Sequence, residues 1–256
     1  MRRYTLAMRV LRVLQEVLLW VLIAATAVVN VAVYARFVRG EDAVNLRTVP
    51  SRAATPGTVA TPSPAQAAAQ AAELDDSTRL PGRFVPTQGR KHTGPYPLDK
   101  RIEFCPEHLT SDGCYASNPP TSGLHLPVQA AVLLANGHRL KIPPDPAVYD
   151  FPIPREAIPH IEEHAGVYVG YNCSSEACDA TAERLKDLVT QELSLGARVV
   201  MSPDPDLDGD TIGLAAWTRV DTFPSSDYTD ERVRTFIKAH SCRFDPELFC
   251  KAPVVN

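Results

Sequence analysis

The stretch PHIEEHAGVYVGYN, residues 159–172, decides the fold, because it joins a short helix to a strand. Pro159 suits the first position of a helix, and Gly166 suits the position just past its end. The alternation of valine and tyrosine after Gly166 is typical of a strand. A helix followed at once by a strand predicts that this stretch lies at the centre of a mixed structure.

The helical part of this stretch carries a candidate metal site. Two imidazoles and one carboxylate share one helical face, since a turn takes about 3.6 residues; they are His160, Glu163 and His164. The H-x-x-E-H spacing is found in zinc hydrolases. The alternative is structural, with both histidines on the surface of a capped turn.

The chain on either side predicts an α+β domain. Downstream, apolar spacing indicates a helix over 179–193 capped by Asp179, strands over 197–201 and 211–220, and a helix over 229–240. Upstream, the segment through Pro154 is dense in proline and glycine and predicts ordered loops. We therefore expect a short mixed sheet with two main helices.

The six cysteines fall into three close pairs, and local pairing is the economical arrangement among many connectivities. The pairs are Cys105 with Cys114, Cys173 with Cys178, and Cys242 with Cys250. Disulfides indicate an oxidising compartment. The alternatives are a thiolate metal site and a nucleophilic cysteine, but no C-x-x-C spacing occurs.

The N-terminal part predicts a membrane anchor. Residues 17–35 are almost wholly apolar, which is long enough to span a bilayer. Four arginines precede this run and favour a cytoplasmic N-terminus; they are Arg2, Arg3, Arg9 and Arg12. A signal peptide cleaved after Ala25-Thr26-Ala27 is the competing interpretation. Both place the folded domain outside the cytoplasm.

The domain layout follows from these features. We predict a cytoplasmic basic tail over 1–16, a signal anchor over 17–35, a disordered linker over 36–90 and an exported globular domain over 91–256. The linker is rich in alanine, proline, threonine and serine, with a brief helix allowed around 65–76. The net charge is −4, without a basic cluster past the N-terminus, which argues against nucleic-acid binding. The one predicted partner is the membrane.

An acidic stretch between the two predicted strands raises calcium as a second metal. Alternate aspartates match the odd positions of a calcium loop; they are Asp204, Asp206, Asp208 and Asp210. The twelfth position is Ala215, where such loops carry glutamate. An acidic turn without any ion is the favoured interpretation.

Four motifs together resemble domain-of-unknown-function family 3105. They are NPPTSGLHLP (118–127), AVYDFPIPREAIPHIEEHAGVYVGYN (147–172), LAAWTRVDTF (214–223) and FDPE (244–247). The resemblance covers about residues 115–247. It implies a membrane-anchored bacterial protein with one small exported domain and no established activity. The family pattern carries glycine where Ala165 and Thr218 stand here.

The resemblance also directs attention to His125, which follows the rigid turn PPTSG. Together with His160 and His164 it makes a set of three imidazoles that suits zinc or copper. Glu163 is then a fourth ligand, an acceptor beside the ligands, or a base for bound water. The predicted function is a membrane-tethered metal-binding domain. The alternatives are a metal-dependent hydrolase with Glu163 as base and a metal-free interaction module of the envelope.

Overall fold

A mixed six-stranded sheet forms the centre of the protein, whose computed structural model describes residues 63–105 and 113–250. Across the sheet the strands are Arg83–Phe84 (β1), Arg219–Pro224 (β10), Thr211–Ala216 (β9), Val167–Asn172 (β7), Val199–Pro203 (β8) and Ala147–Val148 (β6). β7 runs parallel to β8 and antiparallel to β9. The predicted α+β class with a mixed sheet is confirmed.

Helices cover this sheet, and two short pairs of strands lie outside it. The helices are Pro64–Leu74 (α1), Ile158–Glu163 (α2), Glu176–Ser194 (α3) and Asp230–His240 (α4). Glu103–Phe104 (β2) pairs in parallel with Cys114–Tyr115 (β3). Gln129–Leu133 (β4) pairs in antiparallel fashion with Arg139–Ile142 (β5). The region predicted as ordered loops therefore contains a hairpin.

Strand β7 separates two hydrophobic cores, because successive side chains of a strand point to opposite faces of a sheet. Val167 and Val169 belong to one core, which includes apolar residues of α3 and α4. Tyr168 belongs to the other, together with Ile158 and Ile161 of α2 and residues of the β4–β5 hairpin. The valine and tyrosine alternation in the sequence thus fixes α2 on the face opposite the two long helices.

The helix ends agree with the predicted ones except for two caps. Thr229, the first residue of the helix predicted over 229–240, caps α4. Helix α3 starts earlier than predicted, because Ser175, and not Asp179, accepts the capping hydrogen bond. Helix α2 ends at Glu163, and the residue in the left-handed region beyond it is Ala165, with φ 65°, and not Gly166. A Cβ on Gly166 would lie 2.7 Å from Ile161, so this glycine is required for space.

The single strand predicted over 211–220 is a hairpin of β9 and β10. The turn is Trp217-Thr218, and Thr218 adopts φ 64°. Trp217 is buried and stacks on Phe244 with ring centroids 4.5 Å apart. The apolar run continues through the turn because the turn itself is buried. The sequence pattern therefore gave no sign that the chain reverses there.

The prediction of a disordered linker is wrong for residues 63–90. Helix α1 confirms the brief helix allowed there, and β1 pairs with β10. The Arg219 guanidinium donates hydrogen bonds to the carbonyl oxygens of Gly82, Asp75 and Ser77. The Trp217 indole donates to Glu73. The folded domain therefore begins before residue 91.

Three disulfides confirm the local pairing of the cysteines. They join Cys105 to Cys114, Cys173 to Cys178, and Cys242 to Cys250. The third disulfide closes the loop 242–250, and the backbone N–H of Cys242 donates to the carbonyl of Ala165. This loop therefore lies against the end of α2.

The predicted anchor over 17–35 and the first part of the predicted linker lie outside the described residues. Within the part that is described, no helix is both long and apolar enough to cross a membrane.

Candidate metal centre

Four side chains from three separate segments converge beside α2. One possible ligand atom from each lies within 4.8 Å of every other; the residues are His92, His125, His160 and Glu163. The last three are buried, and His92 is exposed. His125, His160 and Glu163, which the sequence suggested as ligands, thus lie together. The third imidazole, that of His92, was not predicted.

The turn before His125 fixes this side chain. Gly123 adopts φ 109°, a conformation that favours glycine. Its carbonyl oxygen accepts a hydrogen bond from Nδ1 of His125 at 2.8 Å. The His125 side chain is fully buried. The proline- and glycine-rich turn therefore holds the ring through its own backbone.

Helix α2 and the same turn together fix His160. Nδ1 of His160 donates to the carbonyl oxygen of Leu126 at 2.7 Å, and the backbone N–H of Leu126 donates to the carbonyl of Glu156 at 2.9 Å. Burial, with His164 and His125 nearby, lowers the pKa of His160 to about 4. The imidazole is therefore neutral at neutral pH, which is the form that binds a metal.

The tautomer of both buried imidazoles follows from these bonds. A carbonyl oxygen only accepts hydrogen bonds, so Nδ1 of His125 and of His160 must carry a hydrogen. In the neutral ring, Nε2 then keeps a free lone pair. Histidines that bind metals have this arrangement, with the second nitrogen donating to a carbonyl or carboxylate. The site thus presents two oriented Nε2 atoms.

His125 and Glu163 form the closest contact of the group. Nε2 of His125 lies 3.0 Å from Oε2 of Glu163, yet this buried nitrogen has no directional hydrogen bond. Two lone pairs face each other across this distance unless a proton or a cation lies between them. The donor set therefore fits a metal ion at this position.

Glu163 supplies the negative charge. Burial alone would raise the pKa of its carboxyl group, but the contact with His125 and the charge of Arg90 lower it. The Arg90 guanidinium lies 3.8 Å from Oε1. The carboxylate is therefore ionised and available as a ligand.

His164 lies beside this group but is not part of it. Its ring touches that of His160, with centroids 4.5 Å apart. Nε2 lies 3.3 Å from a carboxylate oxygen of Glu247, and Phe249 stacks on the ring. Burial lowers the pKa of His164 to about 4. The group with convergent ligand atoms thus contains His92 and not His164, and the ligand set of His125, His160 and His164 that the sequence suggested stays a prediction.

Side-chain contacts explain this difference. The backbone N–H of His164 still donates to the carbonyl of His160 at 3.2 Å, so the two residues remain neighbours on one face. The ring of His164, however, lies against Phe249 and Glu247 and outside the group of convergent ligand atoms. His92 forms an isolated β-bridge with His125, which brings it to the site from a distant part of the chain.

Protein partners hold the carboxylates of the acidic stretch. Asp206 pairs with Arg101 and Arg155, and the Asp210 carboxylate accepts hydrogen bonds from Ser174 and Ser175. In the described ranges, the His92 group is the only set of three or more acidic, histidine or cysteine side chains with convergent ligand atoms. An acidic turn without an ion stays a prediction.

The comparison with known families matches most of this domain. The model of the family described as "Protein of unknown function (DUF3105)" covers residues 108–251. The chain belongs to DUF3105. No curated protein and no solved structure matches it.

The DUF3105 segment contains three of the four converging residues. His125, His160 and Glu163 lie inside the matched range, and His92 precedes it. The third imidazole in this DUF3105 member, that of His92, therefore comes from the segment before the matched range. The sequence signal for it was weak, a lone histidine in the loop RKHTGP (90–95).

Proposed function

We propose that this domain binds a transition-metal ion through four side chains: His92, His125, His160 and Glu163. The observation that carries the proposal is the pair of buried imidazoles whose Nδ1 atoms are both held by backbone carbonyls. This arrangement leaves both Nε2 atoms beside an ionised carboxylate. Orienting bonds of this kind are typical of metal ligands.

Zinc and copper suit this donor set best. Three imidazoles and one carboxylate offer nitrogen and oxygen donors of intermediate softness, which zinc, copper and iron accept. When bound, such an ion supplies a Lewis acid or, for copper, a redox centre. The chain supplies the fixed tautomers, the ionised Glu163 and a buried site.

Binding is favoured over hydrolysis as the function of the site. In a hydrolase, Glu163 would act as a base on a water bound to the metal. Its carboxylate oxygen instead lies among the possible ligand atoms, 3.0 Å from Nε2 of His125. This position favours a ligand over a base.

Elemental analysis and calorimetric titration with zinc, on the purified full-length chain, test the proposal. We expect one ion per chain in the wild type and none in the double variant His125→Ala/His160→Ala. His138→Ala is the matched control, because His138 stacks on Phe151 away from the site. Equal metal content in the double variant would contradict the proposal.

The domain is also proposed to lie outside the cytoplasm, tethered by the run 17–35. The arginines before that run and the three disulfides support this location. A reporter enzyme that is active only outside the cytoplasm, fused after Asn256, should be active in cells. Inactivity of this fusion, with activity of a cytoplasmic reporter, would reject the topology.

A further inference from the structure

The four converging side chains differ sharply in exposure. The exposed fractions of His125, His160 and Glu163 are 0%, 1% and 6%, whereas His92 is exposed. An ion bound to all four would therefore have three buried ligands and one exposed ligand. His92 marks the side that faces solvent.

His92 lies on a strap, residues 89–93, that runs along the turn before His125. The strap is held by backbone hydrogen bonds from Gly123 to Gly89, from His125 to Lys91 and from Thr93 to His125. Its main chain is therefore fixed next to the site.

The His92 side chain is less restrained than its backbone. Its ring contacts those of His125 and His160, with centroids 4.7 and 5.4 Å away. Within the described part of the chain, its nitrogens form no hydrogen bond, in contrast to Nδ1 of the two buried imidazoles. Of the four side chains, His92 can leave the ion with the least disturbance of the fold.

The strap also carries positive charge: Arg90 lies beside Glu163, whereas Lys91 forms no ion pair with the described residues. Arg90 and Lys91 directly precede His92, and both are exposed. Charged residues at an entrance raise the association rate of ligands of opposite sign. The entrance therefore favours an anionic carrier of the metal.

We propose that the ion enters and leaves through His92, by exchange with a small anionic chelate that carries carboxylate groups. The inference rests on the proposed metal-binding function and adds to it the route and the partner. In the exchange, a donor atom of the chelate forms a bond to the ion as the bond from His92 breaks. No electrons are transferred, and the ion keeps its charge.

Release kinetics of the zinc-loaded full-length chain test the route, with the anionic chelator nitrilotriacetate as the probe. The release rate should rise in proportion to chelator concentration, because the chelator attacks the ion directly. A rate independent of chelator concentration would overturn the proposal, since release would then be limited by opening of the protein. Zinc content before release is measured separately, so a failure of metal binding itself is distinguishable.

The variant His92→Ala tests the exit ligand. It should still bind one zinc ion through the buried residues, about 10–100-fold more weakly, and should release it faster by a similar factor. Unchanged affinity and rate in this variant would exclude His92 as the exit ligand.

A charge reversal tests the class of partner. Lys91→Glu should slow release to nitrilotriacetate by roughly threefold or more and leave release to an uncharged polypyridyl chelator unchanged. Arg83→Glu, an exposed charge reversal on β1, is the matched control and should change neither rate. Equal slowing with both chelators would overturn the preference for an anionic partner.

Discussion

Nε2 of His125 lies 3.0 Å from Oε2 of Glu163, although a hairpin and a proline-rich loop separate the two residues along the chain. Nδ1 of His125 donates to the carbonyl of Gly123, so only Nε2 is left to face the carboxylate. The contact of these two buried atoms is unfavourable unless a proton or a cation lies between them. This contact is the geometric ground on which a bound cation is proposed.

The two histidines of the H-x-x-E-H motif should differ in their effect on metal affinity. His160→Ala removes an oriented ligand and should weaken zinc binding by at least about 10–100-fold. His164→Ala removes a side chain paired with Glu247 and should change affinity by less than about threefold. Competition titration against a zinc indicator measures both. Equal losses would restore His164 as a ligand.

The variant Glu163→Gln distinguishes a role of Glu163 as a metal ligand from a role as a general base. The amide keeps the shape of the side chain but loses the charge, so zinc affinity should fall by roughly tenfold or more if the carboxylate binds the ion. Glu247→Gln, which removes a carboxylate beside His164, is the control and should keep wild-type affinity. Full affinity in Glu163→Gln would favour a base.

His240 should make the domain less stable in acid. Burial, with Arg243 and Arg219 nearby, lowers the pKa of His240 to about 4 against the hydrogen bond to Pro81. Between pH 6.5 and 4 the unfolded chain then binds more protons at this residue than the native one. The contribution of His240 to the free energy of unfolding is therefore fully present above about pH 6.5 and is lost as the pH falls toward 4.

Urea unfolding of the wild type and of His240→Gln measures this contribution. The wild type should lose on the order of 3 kcal/mol more than the variant over that interval. Parallel pH profiles for the two proteins would show that His240 does not cause the loss of stability in acid.

Ala165→Gly should stabilise the protein. Ala165 adopts φ 65°, which costs an alanine about 1–2 kcal/mol, and the extra freedom of glycine in the unfolded chain offsets only part of the gain. We expect the melting temperature to rise by roughly 2–4 °C. Ala182→Gly, a buried alanine inside α3, is the matched control and should lower it. A lower melting temperature for both variants would show that the Ala165 methyl contributes more through packing.

Removal of residues 63–90 should destabilise the domain. A chain that starts at residue 91 loses buried Val85 and the carbonyl partners of Arg219, whereas one that starts at residue 63 keeps them. The loss should be at least about 2 kcal/mol and should lower the melting temperature by roughly 4–8 °C. Equal melting temperatures would show that residues 63–90 pack without contributing stability.

The glycines expected from the family pattern show how far a local pattern reaches. Ala165 and Thr218 occupy two positions where that pattern has glycine, and both adopt a positive φ. This is a conformation that glycine adopts without strain. The angle itself depends on the path of the folded chain.

The sequence by itself determined the elements that depend on neighbouring residues. The alternation in β7, the apolar spacing of α3 and α4, and the close cysteine pairs each lie within a few residues or turns, so their physical cause is local. The convergence of His125, His160 and Glu163 was predicted in part, because a rigid turn and a short helix restrict two of the three segments.

Tertiary structure alone decided the membership of the site. The ring of His164 lies against Glu247 and Phe249, which come from a distant part of the chain, and it stays outside the group of convergent ligand atoms. His92 enters through a β-bridge to His125, a pairing between distant residues that has no local sequence signal. Metal ligands must converge within a few ångströms, and such convergence depends on the path of the whole chain.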